Sequence, residues 1–378
     1  MSRRNLSTIV SIILSALLLT GCWDQRLLKD LKLVFTVGFD LGESDEIVSH
    51  IAIRESEKLS IGGQPGQATV AVVEGRGITL RDTRLSLDRR IPGEFSPSKM
   101  RMYLMGEDLA KKDIYSILDI LYRDPKAPLG AKLAIVQGNA EDIIHMKTIK
   151  ETLLTEAITD LLVTAENNTF ILNETIQSVC PVMFDPSADF SLPVIKEVET
   201  HDIEVIGMGL ISDRAYTGVT LNAEQSTDLL LLANKKAKIA QLNMMVHPEE
   251  ENPQNRYMTL SISKAKSHIK TTVDSPNDIK VTIDMKVTAS IAEYPKNHLV
   301  DKQKVKSLEK KAAQHITAKS EEVIKIIQDA NSDVLKIGQH IKVHHNKVWK
   351  DIKWREVYPT IEIVPNVTVE ITGTGIIN

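Results

Sequence analysis

Cysteine is almost missing from this chain: Cys22 and Cys180 are its only two among 378 residues. That excludes a disulfide-built scaffold and a zinc site made from cysteine pairs. Aromatic residues are also scarce, at 4%. A basic excess is absent, since 46 Lys+Arg stand against 50 Asp+Glu for a net charge of -4, which argues against nucleic-acid binding as the main role. Beyond the first twenty or so residues no apolar run approaches the roughly 20 residues that a membrane-spanning helix needs.

Catalytic patterns are missing as well. Gly62-Gly63-Gln64-Pro65-Gly66 lacks the Lys-Ser/Thr ending that lets a glycine-rich loop cradle phosphate. Gly209-Leu210-Ile211-Ser212-Asp213 does not form a nucleophile elbow. The carboxylates of Glu249-Glu250-Glu251 and Glu321-Glu322 are neighbours in sequence, which does not set a general acid opposite a base. No enzyme activity and no cofactor are therefore expected. His340 and His344 have the spacing of metal ligands on a helix, but His345 is expected to point elsewhere and no His-Glu-x-x-His is present, so no metal site is expected there. Cys180 sits in apolar surroundings, Val179-Cys180-Pro181-Val182, and reads as a small buried hydrophobe.

What is there begins at the N-terminus. Arg3 and Arg4 precede an apolar tract from Ile9 to Leu19, a leader too short to span a bilayer. It closes in Leu19-Thr20-Gly21-Cys22, which resembles the bacterial lipobox. The resemblance implies removal of residues 1–21 and diacylglycerol on Cys22, and two acyl chains suffice for stable anchoring where one is marginal. Without Arg3 and Arg4 the balance becomes 44 basic to 50 acidic residues. Basic residues concentrate between Val300 and Arg355, a segment that reads either as a solvated helix face or as a surface turned toward anionic headgroups.

With 42% hydrophobic and 25% charged residues the remainder has the composition of a globular protein, and its length calls for two or three domains. Leu31 to Asp40 and Ile47 to Arg54 read as a hairpin around Leu41-Gly42-Glu43-Ser44. Asp113 reads as the N-cap of a helix carrying Ile114, Ile117, Leu118 and Leu121, and Leu133 to Gln137 as a strand. Asn222 with Gln225 forms a capping box before the run Asp228 to Lys235. Ile279 to Ile291 alternates strictly between apolar and polar, the mark of a long half-buried antiparallel strand. Val305, Leu308, Ala312, Ile316, Val323, Ile327 and Ala330 mark a long amphipathic helix near 301–330, in a stretch free of Gly and Pro from Asp301 to Ile337. Two short strands interrupted by Pro365, which suits an edge or a bulge, are expected at the end. Together these predict an α+β protein of two or three domains, mainly antiparallel sheets covered by helices. The boundary is placed at Ser187 to His201, giving a signal peptide at 1–21, an N-terminal part at 22–195 and a C-terminal part at 200–378.

Gly21-Cys22-Trp23-Asp24, Met105-Gly106-Glu107-Asp108-Leu109-Ala110 followed by Leu121-Tyr122-Arg123-Asp124, and Trp349-Lys350-Asp351-Ile352-Lys353-Trp354-Arg355-Glu356-Val357-Tyr358-Pro359 together resemble the Ger(x)C family of spore-germination lipoproteins. Leu192-Pro193, Gly207-Met208-Gly209 and Thr372-Gly373 fall in matching places, so the resemblance covers nearly all of the chain after the leader. It implies a non-catalytic C subunit of a nutrient germinant receptor, anchored at the outer face of the inner spore membrane beside polytopic A-type and B-type subunits. The family does not account for the lead-in Gln339-His340-Ile341-Lys342-Val343-His344-His345. Trp349, Trp354 and Tyr358, interleaved with Lys350, Lys353 and Arg355, are candidates either for core pillars or for a partner-contact surface. A lipoprotein that captures a small nutrient between its domains is the alternative role.

Overall fold

The computed structural model describes residues 31–54, 70–125, 127–149, 152–199 and 202–375. Cys22 and the loop Gly62 to Gly66 lie outside these residues.

The expected hairpin forms from β1 (Leu31–Leu41) and β2 (Ile47–Arg54), and β3 (Val70–Gly77) extends it. Next come α1 (Leu80–Asp88), β4 (Glu94–Ser96), β5 (Met102–Gly106), α2 (Glu107–Lys112), α3 (Ile114–Arg123), β6 (Lys132–Val136) and α4 (Ala140–His145). Asp113 caps α3 by accepting from Tyr115 N at 2.9 Å, as its sequence position requires. A two-residue pair, β7 (Thr148–Ile149) and β8 (Thr152–Leu153), leads into α5 (Leu154–Asn167) and α6 (Ile176–Met183). Cys180 lies on α6 and is only partly buried, more open than its neighbours predict.

The chain continues through β9 (Ser191–Glu199), β10 (Asp202–Ser212) and β11 (Ala215–Asn222) to α7 (Ala223–Leu232). Asn222 and Gln225 form the capping box, and Leu229 to Leu232 are all buried. The last part holds β12 (Gln241–Met245), β13 (Tyr257–Ser275), β14 (Asp278–Glu293), α8 (Lys302–Asp329), α9 (Ile337–His344), α10 (Asn346–Trp349), α11 (Trp354–Val357) and β15 (Glu362–Gly373).

The fold is α+β, built on two main sheets. The larger runs β11-β10-β9-β6-β5-β1-β2-β3, with β4 beside β1. Its flanks are antiparallel, but β1, β5, β6 and β9 are parallel neighbours joined by helical crossovers. That centre differs from the mainly antiparallel expectation, because β5 and β6 are short buried apolar runs with no alternation to mark how they pair. The smaller sheet is β12-β13-β14-β15, antiparallel except where β15 joins β14 in parallel. Every apolar position of β14 from Ile279 to Ile291 is buried.

One detail of the C-terminal part departs from expectation. Pro365 does not break the last strand: β15 is continuous and lies at the edge of its sheet, where a missing N–H leaves no ladder bond unmade. The long helix expected near 301–330 is α8, at Lys302–Asp329. It stops at Asp329, where Asn331 takes φ of 48°, Ser332 N bonds Ile327 O at 2.9 Å and Asn331 N bonds Gln328 O at 2.9 Å. Those paired bonds close the helix in a Schellman turn, which asparagine can make without glycine.

Both faces of the larger sheet are covered. One side packs against α1, α3 and α6 through Leu80, Leu87, Ile114, Ile117, Leu118 and Val179. The other side's core includes Leu104, Val136, Ile144, Ile158 and Leu162, continues through Leu229 to Leu232 of α7, and merges with Leu308, Ala312, Ile316, Val323 and Ile327 of α8 on the smaller sheet. The expected boundary between residues 195 and 200 falls at β9 and β10, which are hydrogen-bonded neighbours. The larger sheet thus takes strands from both sides of that boundary.

Candidate functional site

Four segments distant in sequence meet where the larger sheet joins the C-terminal helices: the loop before β9, the β10–β11 turn, the turn after α8, and α11. Asp189 and Asp333 are their buried anchors, 4% and 1% exposed. The Asp189 carboxylate takes a fork from Arg355, with Nη1 to Oδ2 and Nη2 to Oδ1 both at 2.6 Å. It also accepts from Asp333 N at 2.8 Å and Asp213 N at 3.3 Å. Arg355 Nη1 further donates to Ser212 Oγ and Asn331 O. Burial works against the guanidinium charge, but the bonds to Asp189 outweigh it and raise the Arg355 pKa.

Asp333 accepts from Ile337 N at 2.9 Å, Gly338 N at 2.7 Å and Trp354 Nε1 at 3.1 Å, so it caps α9 and holds the indole together. Burial pushes its carboxyl up to about 7, against the pull of these donors. Gly338 is required by contact: a Cβ there would lie 2.5 Å from Trp354 Nε1 and 2.6 Å from Ser187 O. Tyr358 donates its hydroxyl to Ser332 O at 3.2 Å.

The three aromatic candidates are therefore brought together, with ring centroids 5.8 Å apart for Trp349 and Trp354 and 5.4 Å for Trp354 and Tyr358. Trp354 and Tyr358 are 5% and 1% exposed and cannot themselves present a partner-contact surface. Their N–H and O–H find acceptors inside, which makes burial of the whole ring favourable. Trp349 is half-buried and keeps an outward part. Asp189 and Asp333, the acceptors that organise these side chains, carry no local sequence pattern; the fork-forming Arg355 beside Trp354 was the available signal.

His340 and His344 pair as their spacing predicts, with ring centroids 4.3 Å apart. His345 does not point elsewhere: its Nε2 lies 3.1 Å from Thr271 Oγ1, which is also 3.4 Å from His340 Nδ1. The break between α9 and α10 turns His345 back toward β13. Burial, followed by the neighbouring His344, His268 and His345, lowers the His340 pKa.

Pockets among the described residues include one of about 220 Å³ against the β1–β2 hairpin, lined by Phe35, Ala52, Arg101, Lys147 and Glu156. A shallower one lies against β12 of the smaller sheet, beside α7 and α8, near Glu224, Gln241 and His315. No helix of the described residues is long and apolar enough to cross a membrane.

Two sheets sharing one core, with a polar junction that holds the C-terminal helices in place, define a two-sheet α+β protein. Residues 24–197 match the spore germination protein N-terminal domain, and residues 206–375 match the C-terminal domain described as spore germination B3/GerAC like. The chain belongs to the Ger(x)C/GerAC family of spore-germination receptor proteins, whose members are non-catalytic receptor components that act with other receptor subunits.

Among relatives in Bacillus subtilis (strain 168), spore germination protein KC is 24% identical over 416 aligned positions, covering 98% of this chain and 96% of that protein. Spore germination protein YndF is 21% identical over 414 positions, covering 99% and 98%. The match to YfkR, described as a candidate spore germination protein, is 24% identical and spans only 59% of that protein's length. The crystal structure of the GerBC protein shares the fold, with a TM-score of 0.58 at 14% identity, covering 89% of this chain and 96% of that one.

Proposed function

We propose that this chain is the lipid-anchored subunit of a nutrient germinant receptor, held by diacylglycerol on Cys22 at the outer face of the inner spore membrane and working with polytopic A-type and B-type subunits. The observation that carries the reading is the ordered match of both germination-protein regions along nearly the whole chain. The lipobox-like Leu19-Thr20-Gly21-Cys22 supports the anchor. Anchoring confines the protein near its partners, so modest contact surfaces give stable assembly. The partly exposed Trp349, beside Lys350 and Lys353, is one place for such a contact.

The test is Cys22→Ala in the full chain. The variant is expected to keep its melting temperature, leave the membrane fraction of spore lysates and co-purify poorly with the polytopic subunits. Membrane retention with a normal nutrient response would overturn the anchoring claim. Titrating the purified protein with nutrient amino acids, sugars and nucleosides is expected to show no saturable binding; tight binding would favour nutrient capture instead.

A further inference from the structure

Away from the junction, β1, β2 and the N-terminus of α4 bring a different set of polar groups together. Asp40, 7% exposed, accepts from Ala140 N at 2.7 Å and from Glu141 N at 2.8 Å, capping α4 from a neighbouring strand. Gly106 makes room for it, since a Cβ at that position would stand 2.0 Å from Asp40 Oδ1. Asp40 Oδ2 also lies 3.4 Å from His50 Nε2. This contact directs Nε2–H toward the carboxylate and turns the other ring nitrogen to its remaining surroundings. His50 is 2% exposed, yet its Nδ1 has no hydrogen-bond partner among the described residues. A buried imidazole nitrogen left unpaired is costly and asks for a ligand.

Glu141 and His145 meet that need. They are four apart on α4, so their side chains lie on one face. His145 Nε2 stands 3.6 Å from Glu141 Oε1, close to the roughly 3.4 Å edge of a tetrahedron with arms of about 2.1 Å. One ligand atom from each of His50, Glu141 and His145 lies within 4.8 Å of the others. The His50 and His145 ring centroids are 6.4 Å apart with the rings inclined at 63°.

We propose that His50 Nδ1, Glu141 and His145 Nε2 bind a divalent transition-metal ion of the zinc class, with Asp40 as the positioning residue that fixes the His50 ring. Two imidazoles and one carboxylate suit zinc, cobalt or nickel, whereas calcium and magnesium prefer all-oxygen sets. A carboxylate behind a ligating histidine is the usual outer support of such a site. His145 and Glu141 have side chains 53% and 49% exposed, so the remaining coordination position faces outward, open to water or to a donor from a partner protein. The ion would tie the start of α4 to β2 across β1. The site is illegible in sequence because His50 and His145 lie far apart and neither belongs to a metal motif.

The experiment uses the full-length protein in detergent, stripped with a chelator and titrated with Zn²⁺ against a chromophoric zinc indicator. One site is expected, with affinity falling at least tenfold in His145→Ala and in Glu141→Gln. Both residues are exposed, so these variants should keep the wild-type circular dichroism spectrum. Zn²⁺ should raise the melting temperature of the wild type and not of His145→Ala. The pair His340→Ala/His344→Ala should leave binding unchanged. Zinc binding that survives His145→Ala and Glu141→Gln, or that is lost only with the His340/His344 pair, would overturn the assignment, as would no binding at millimolar Zn²⁺.

Discussion

Asp189 makes the junction depend on single side chains. It is almost fully enclosed, and the Arg355 fork supplies its countercharge. Removing one partner of a buried pair leaves the other uncompensated, so Arg355→Ala should destabilise the protein by about 3 kcal/mol. Replacing both partners, Asp189→Asn with Arg355→Ala, should cost less than the sum of the single changes, which chemical denaturation of the four proteins of the cycle would read. Additive costs would show that the fork contributes nothing of its own. Asp228 sets a second residue-scale expectation. It is 2% exposed on α7, and burial, reinforced by Glu224, raises its carboxyl pKa from 3.8 to about 7. Between those values the folded protein holds a proton that the unfolded chain has released, so stability falls as pH rises from about 4 to about 7, by up to about 1.4 kcal/mol per unit. Asp228→Asn should flatten that decline and raise the melting temperature at pH 8 while changing little at pH 4. An unchanged pH profile would mean that Asp228 is not held protonated.

Among the elements, α8 is the longest helix of the described residues. Its buried positions Leu308, Ala312, Ile316, Val323 and Ile327 lie on the apolar face of the smaller sheet. Ile316→Ala should therefore cost about 2–5 kcal/mol in thermal or denaturant unfolding, whereas Lys310→Ala on the exposed face should stay within about 0.5 kcal/mol. Equal effects would put the helix's working face elsewhere. α8 was legible in sequence because seven apolar residues recur at helical spacing, as was β14 because its alternation is unbroken. The capping roles of Asp113 and Asn222 were legible for a similar local reason: each cap is decided within three residues. The parallel centre of the larger sheet was not, since β5 and β6 are short buried apolar runs with no alternation to mark how they pair. The end of α8, expected near residue 330, falls at Asp329, where asparagine at 331 does the work usually signalled by glycine. At the candidate site the aromatic cluster was visible, while its buried orientation depends on Asp189 and Asp333, which meet it only through tertiary folding.

For the whole molecule, the shared core and the sheet that crosses the β9–β10 connection tie the two parts of the described residues together. A fragment of residues 22–195 would lack β10 and β11 and expose the edge of β9, so it should fail to give the sharp thermal transition of the full chain. A well-folded fragment would show that the N-terminal part needs none of these contacts. Under the proposed function this joined body offers a surface to the other receptor subunits without chemistry of its own. The most direct test of that role is the loss of optical density of purified spores, wild type against an in-frame deletion, across a panel of nutrients and one non-nutrient trigger. Loss of response to particular nutrients with the non-nutrient response intact is the predicted result. An undiminished response to every nutrient, in a background without paralogues, would contradict it.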